Sequence, residues 1–517
     1  MLQKLKNCFI LIFAFAAVCV SAAVKEMKMG VYIYDDHFRK IVKEDGADLK
    51  SLVDEHFKLL KEHGVDILHL AISRPDDKAF DEIWLPMMKK YGMQAYVQLS
   101  FAYFRLRKYW TESYENRQAE KAGKFIAKYK NCPEILAFSI REEVSAGELD
   151  VMARYYKKIR NHAGDFPIVT LHNNMKAAKA HPEPYPAYFG TDRYAFWWEQ
   201  SVGGYMASPS FSLKWVRMES AKYYEEAAKR NADFFLVVTT NAYLSSVRNP
   251  DAAWSDKTHN DRVRKYAASN RFGWQKSKID GEDFYWVWKY YRIPENCLKA
   301  MVWTGVLEGA KSFLVWSYAP KIKADLKLNP EQTIVREMKR VRKNPRKVAS
   351  ADWLTLAGRA GVANKELKEF GVAAKEIAPY KKLIPLMYKA KESVVTTNER
   401  KKIYNRSFDF KGMNGKGIVI HNANVGTWGA RSRHFFLEKD DIKIDSEGNL
   451  IGYKPFKEPV AVEFTLKDPS VAVFDFKTGK QIPTKDGKGS VLVGPGSGVI
   501  LFAGTLQEFN AIRSKIK

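Results

Sequence analysis

At 517 residues, with 46% apolar and 28% charged side chains, the chain has ample material for a conventional core and is neither disordered nor fibrous in composition. Its formal net charge is +26, from 85 Lys and Arg against 59 Asp and Glu, spread over many lysine-bearing segments. Nucleic acid is the usual partner for such an excess, but the first residues of the chain argue against it.

Those residues read as a secretory signal. Lys4 and Lys6 form a positive start, an apolar run extends from Cys8 to Val20, and Ser21-Ala22-Ala23 offers a small-residue cleavage site, so residues 1–23 are expected to be removed. The run is short and poorly flanked for a transmembrane helix, and no later segment is long and apolar enough to span a bilayer. A lipid anchor on Cys19 is disfavoured by bulky Val18. An exported protein, secreted or periplasmic, without membrane insertion and without nucleic acid is expected. An anionic polysaccharide or an acidic cell surface would suit its charge, as would a generally basic proteome. Cys132 and Cys297 are the cysteines left after export, and their spacing fits no metal or redox motif. A disulfide and two buried thiols both stay open.

From residue 27 to about 320, strand-like and helix-like segments alternate. The strands are expected at 29–36, 65–72, 93–100, 133–143, 166–174, 187–197, 232–240 and 311–320. Amphipathic or apolar helical stretches lie between them, several closing on a glycine such as Gly64 or Gly92. Eight such units over about 290 residues predict a (β/α)8 TIM barrel. A doubly wound sheet competes, but it normally carries a glycine-rich phosphate loop after its first strand, and YIYDDHFRK has no glycine.

After the seventh strand, residues 241–292 form a long insertion with Trp254, Trp274, Trp286 and Trp288. Its place on the catalytic side suits a lid or cleft wall. A decorative subdomain with its own small core is the other reading. A basic, broken stretch (321–348) and a helical stretch (about 351–388) follow, completing a barrel domain expected over 27–390. From 391 to 517 short alternating runs with turn signals, such as GKGIVIHNAN and VAVFDFKTGK, predict an all-β sandwich.

Parallel α/β folds place their chemistry at the carboxyl ends of the strands. Polar residues collect there: Asp35 and Asp36, Ser100 and Tyr103, Arg141-Glu142-Glu143, His172-Asn173-Asn174, Asp192-Arg193-Tyr194 with Trp197 beyond, Thr239-Thr240, and Trp316 with Tyr318. Acids, amides and aromatics on one rim suit a sugar cleft, since aromatics stack on pyranose faces and polar groups bind hydroxyls. The chain has no HExxH, CxxC, Walker-type or GxSxG element, so no metal and no cofactor is expected. In PEILAFSIREE (133–143), strand alternation groups Ala137, Ser139, Arg141 and Glu143 on one face and predicts Glu143 in the barrel mouth, with Glu142 opposite.

PEILAFSIREE resembles the fourth strand of the clan A TIM-barrel glycoside hydrolases, which include the family 42 β-galactosidase-like enzymes. AMVWTGVLEGAKSFLVWSYAP is similar to their last helix and tryptophan-bearing strand. The resemblance implies a secreted glycosidase with a carbohydrate substrate, and makes Glu143 the general acid/base. Glu142 stands where that group has Asn or Asp, which weakens the implied contact to the sugar 2-hydroxyl. The group's nucleophilic glutamate at the end of strand seven is missing; Thr239 and Thr240 stand there. Asp192, at the end of strand six, is the first choice for the partner, because barrels resembling α-galactosidases use strands four and six. Asp35, Asp36, Glu199, Glu282 and Asp283 are fallbacks, and an ion pair with Arg193 or Arg141 is the plain alternative for Asp192.

Substrate contacts are expected from Glu142, Asp35, Arg141, His172, Asn173, Arg193, Tyr194, Trp197, Trp316 and Tyr318. The two arginines would either hold a carboxylate ionised or bind a sulfate or uronate. His172 suits a hydrogen-bonded rim residue better than a catalyst. Glycosidic hydrolysis by two carboxyls is the leading expectation. The rivals are a non-catalytic carbohydrate-binding barrel that lost the strand-seven nucleophile, and a basic matrix-binding protein.

Overall fold

The computed structural model describes residues 26–75, 78–103, 110–193, 197–198, 205–207, 209–239, 241–248, 277–279, 282–320, 358–359, 362–428, 436–438, 445 and 449–516. The expected signal segment, the stretch 321–348 and most of the insertion lie outside these residues.

Eight parallel strands form the barrel: β1 (Lys28–Tyr34), β2 (Ile67–Ile72), β3 (Gln94–Leu99), β4 (Ile135–Ser139), β5 (Val169–Leu171), β6 (Tyr188–Asp192), β7 (Asp233–Thr239) and β8 (Ser312–Trp316). Their order is β4-β3-β2-β1-β8-β7-β6-β5, each neighbour parallel. A parallel bridge between Phe138 and Ile168 closes the ring. The TIM barrel expected from the alternation is the fold observed.

Strand alternation sorts side chains into two layers. Tyr32, Ile67, Tyr96, Ala137, Val169, Leu171, Tyr188, Phe235, Val237 and Leu314 fill the barrel interior. The alternate residues, such as Val31, Leu68, Val97, Phe138 and Leu236, pack under the helices in the larger cluster. Interior aromatics are bulky, and the strands accommodate them with glycine. A Cβ on Gly190 would lie 2.2 Å from the Phe235 ring, so β6 needs glycine there for that ring to cross the barrel. On β4 the pairing with β3 slips, Ala95 facing Ile135 and Tyr96 facing Ala137. Leu136 consequently packs toward the interior instead of sharing a face with Phe138.

Two helices stand after β1 where the sequence suggests one. α1 (Asp35–Asp45) starts directly at the strand end, with Asp35 and Asp36 in its first turn against the positive end of the helix dipole. α2 (Leu49–Glu62) is capped by Asp48, which accepts from Ser51 N at 2.8 Å. The ring continues with α3 (Leu85–Tyr91), α4 (Glu112–Tyr129), α5 (Leu149–Ala163), α6 (Met175–Lys179), α7 (Pro209–Lys229) and α8 (Cys297–Leu307). Within the insertion, Asn241–Arg248 pairs antiparallel with Glu282–Arg292 in a small sheet, and Trp197–Trp198 joins that sheet rather than extending β6.

Of the helical stretch expected after the barrel, the described residues show α9 (Lys365–Ile377) and two 3-10 turns. Beyond it come a six-stranded antiparallel sheet starting at Tyr388 and a three-stranded one built on Val395–Thr397, Val460–Leu466 and Lys488–Val493. A final helix, α10 (Leu506–Ile516), stacks Phe509 on Phe474 at 4.8 Å. Cys132 and Cys297 are free thiols, the second buried.

Candidate active site

β6 runs Tyr188, Phe189, Gly190, Thr191, Asp192, and the interior position of Tyr188 repeats at Asp192. Asp192 therefore points into the carboxyl-terminal mouth of the barrel, 6% exposed. Burial pushes its pKa well above the ordinary carboxyl value, and a hydrogen bond from its side chain to Glu143, together with that group's charge, pushes the same way. Arg193 opposes them only in part. Burial and the neighbouring carboxyl thus both favour the protonated form of Asp192.

Glu143 reaches Asp192 by an unusual route. β4 stops at Ser139, and Glu143 takes a left-handed conformation with φ of 52°, its N–H donating to Leu171 O at 2.9 Å. This turns the chain toward β5 and β6. Glu143 is exposed. Extrapolating strand alternation past Ser139 fails because residues 140–143 are no longer strand.

Glu142 enters the mouth from the other side. Its Oε1 accepts from Tyr32 Oη at 2.8 Å and lies 3.0 Å from His69 Nε2. Tyr32 and His69 stack at 4.0 Å with 18° between their planes. The backbone N–H of Glu142 donates to Tyr103 Oη at 3.2 Å. Gln98, 7% exposed and on the same β3 face as interior Tyr96, gives Nε2 to Ser100 Oγ at 3.4 Å, and its Oε1 has no donor among the described residues. Trp316 donates Nε1 to Tyr34 Oη at 3.3 Å, and Thr239 ends β7 beside it in register. The peptide between Trp316 and Ser317 is cis.

Several residues expected at the rim face elsewhere. Asp35 is buried, accepting from Ser73 N at 3.1 Å and Ser73 Oγ at 3.0 Å, so it ties the ends of β1 and β2 together. Its pKa is raised by burial, against the hydrogen bonds from Ser73. His172 is fully buried, its Nε2 3.0 Å from His181 Nδ1 and its ring packed on Phe189 of the helix-facing layer. Burial, then the neighbouring His181 and Arg230, lower its pKa to about 3, so it is a neutral structural residue. Tyr318 points outward to His56 of α2, with which it shares a hydrogen bond.

Arg193 also turns to the helices. It donates to Asp192 O at 2.8 Å, Asn173 O at 3.0 Å and Tyr223 Oη at 2.6 Å, between the rings of Trp215 and Tyr223 on α7. Arg141 lies over Tyr103 at 5.3 Å with Nη2 3.6 Å from Glu148. Asn173 is exposed at the rim. Tyr194 lies outside the described residues, and of Trp197 only the backbone is described.

The mouth thus brings together Asp192, Glu143, Glu142 and Trp316 with three residues the sequence reading missed: Tyr32, His69 and Gln98. A polar residue at an interior position of an otherwise apolar strand, as in VDILHLAI and MQAYVQLS, was the available signal. Among the described residues no group of His, Cys, Asp and Glu is arranged to hold a metal ion, and no helix is long and apolar enough to cross a membrane.

No protein-family model matches the chain, and no curated protein matches it either. Solved structures similar in layout include a glycoside hydrolase family 30 subfamily 8 xylanase from Clostridium acetobutylicum, at 10% identity and TM-score 0.39, covering 94% of this chain and 98% of that one. An α-amylase from Geobacillus thermoleovorans gives 9% identity and TM-score 0.42, covering 93% and 99%. A family 27 β-L-arabinopyranosidase from Geobacillus stearothermophilus gives 8% and 0.39, covering 94% and 98%. At such values the fold rests on the strand order, and the chemistry rests on the site itself.

Proposed function

We propose that the protein is an exported glycoside hydrolase that cleaves a poly- or oligosaccharide with two carboxyls, Asp192 and Glu143. The observation that carries this reading is a buried, proton-holding carboxyl in contact with an exposed one at the catalytic mouth of a TIM barrel. The roles are the reverse of those suggested by resemblance. Asp192, kept neutral by burial, donates its proton to the glycosidic oxygen as the bond to the anomeric carbon breaks. Glu143, reachable from solvent, supplies the carboxylate that attacks the anomeric carbon or takes a proton from attacking water. A sugar must first part the pair. Double displacement needs a separation of about 5–5.5 Å and single displacement about 6.5–9.5 Å, so a pair in contact opens more easily to the former. Trp316 offers a ring for stacking the sugar. Lys4, Lys6 and the apolar run that follows support export.

The test is release of reducing ends from a glycan panel by wild type, Asp192→Asn and Glu143→Gln. Each variant is expected to lose roughly 10²–10⁴-fold in turnover. Asp192→Asn should lose less on substrates with activated leaving groups, which need little protonation. A second reading, a carbohydrate-binding barrel without catalysis, is favoured by Thr239 at the end of β7, where the resemblance would put a carboxylate. Binding of glycans with no turnover by the wild type would establish it instead.

A further inference from the structure

The mouth is lined on its β1–β4 side by hydrogen-bond acceptors. Tyr32 and His69 both meet Oε1 of Glu142. Gln98 Oε1, on a side chain more than nine-tenths buried and directed inward, has no donor among the described residues. Asp192 Oδ1 likewise receives none among the described residues. The two arginines nearest in sequence, which would have bound an anion, are engaged with α7 and with Glu148 and Tyr103.

Resting on the glycosidase reading, we propose that Glu142 and Gln98 form a specificity subsite for a neutral or amine-bearing sugar, and that this subsite excludes uronate and sulfated sugars. Acceptors left unsatisfied in a buried site are costly, and a ligand gains most by bringing donors to them. Hydroxyl and ammonium groups bring donors; a carboxylate or sulfate brings only more acceptors and a like charge. Tyr32 and His69 are positioning residues here, because they fix Glu142 without reaching the sugar. The protein's large positive charge therefore describes its outer surface and not the subsite that selects the sugar.

Trp316 at the mouth supplies a fluorescence readout of binding. Three oligosaccharide sets serve as probes, matched in configuration: neutral, 2-amino and uronic. Neutral or 2-amino sugars should bind at least about tenfold more tightly than their uronic counterparts. Glu142→Gln keeps the shape, removes the charge and should narrow that gap; Gln98→Glu should widen it. Uronic sugars binding as well as neutral ones, or a gap untouched by either variant, overturns the proposal. Binding by none of the three sets also overturns it. Loss of turnover with the binding preference intact counts against the glycosidase reading alone, because the preference is read without catalysis.

Discussion

Asp192 and Glu143 are neighbours in space that differ in burial, and burial favours the protonated form of Asp192. The sign of its effect on stability can be worked out. Asp192 has a folded pKa raised above its unfolded value, so its favourable contribution is complete below the unfolded pKa and is lost as pH rises through the folded one. Asp192→Asn removes that loss. Thermal unfolding followed against pH should therefore show the variant overtaking wild type on the alkaline side and matching it more closely in acid. A constant offset across the range would mean that folding does not raise the Asp192 pKa. Asp192 stood out in the sequence only by its place at the end of the sixth apolar run; its inward direction comes from the strand that the structure shows. The roles of Glu142 and Glu143 were not legible. Strand alternation was carried four residues beyond Ser139, whereas the chain turns there and Glu143 takes a positive φ. His69 and Gln98 escaped notice because each sits inside an apolar strand and not at its polar end.

At the scale of elements, all eight barrel strands were legible from apolar runs at regular spacing, and the barrel followed from their count. α1 was missed because its core-facing hydrophobic stripe is only Phe38, Ile41 and the half-buried Val42 in an otherwise polar segment. The described residues also show how adjacent helices of the ring are fastened. Glu115 of α4 is buried and accepts from Trp110 Nε1 at 2.9 Å and from Arg154 of α5 at 3.1 and 3.2 Å, with Lys158 Nζ 2.9 Å away. Burial alone would raise its pKa, but hydrogen bonds from Arg154, Lys158 and Trp110 outweigh it and bring the value to about 2. A depressed carboxyl pKa contributes stability above its unfolded value that is lost as pH falls through the folded one. Glu115→Gln should accordingly lower the melting temperature at neutral pH, and its deficit should fade between about pH 4.5 and pH 2. Equal deficits at pH 7 and pH 2 would show that the carboxylate charge is not what joins α4 to α5.

At the scale of the whole molecule, the barrel and the C-terminal sheets share a buried seam, and α8 shows why. An amphipathic helix buries one stripe, but nearly every residue of Cys297–Leu307 is buried, as expected for a helix covered on both sides. The barrel covers one side. On the other, Thr304 Oγ1 lies 3.2 Å from His421 Nε2, and Trp303 packs so close to Gly498 that a Cβ there would meet it at 2.4 Å. Just past α8, Glu308 is 1% exposed and holds Lys389 Nζ at 2.7 Å and Arg406 Nη2 at 3.3 Å, both from the C-terminal side. Removing one partner of a buried ion pair costs about 3–5 kcal/mol, because the other charge stays behind. Glu308→Gln should therefore destabilise the entire protein, in one unfolding transition seen alike by tryptophan fluorescence and by circular dichroism. Burial already pushes the Lys389 pKa down, against the attraction of Glu308, and without Glu308 it falls further. Lys389 can then shed its proton within the fold. A cation with a depressed folded pKa regains stability as pH rises, so the deficit of Glu308→Gln should shrink on the alkaline side. Two separate transitions, with only the later one unaffected by the substitution, would mean that the barrel and the C-terminal sheets fold independently of this seam.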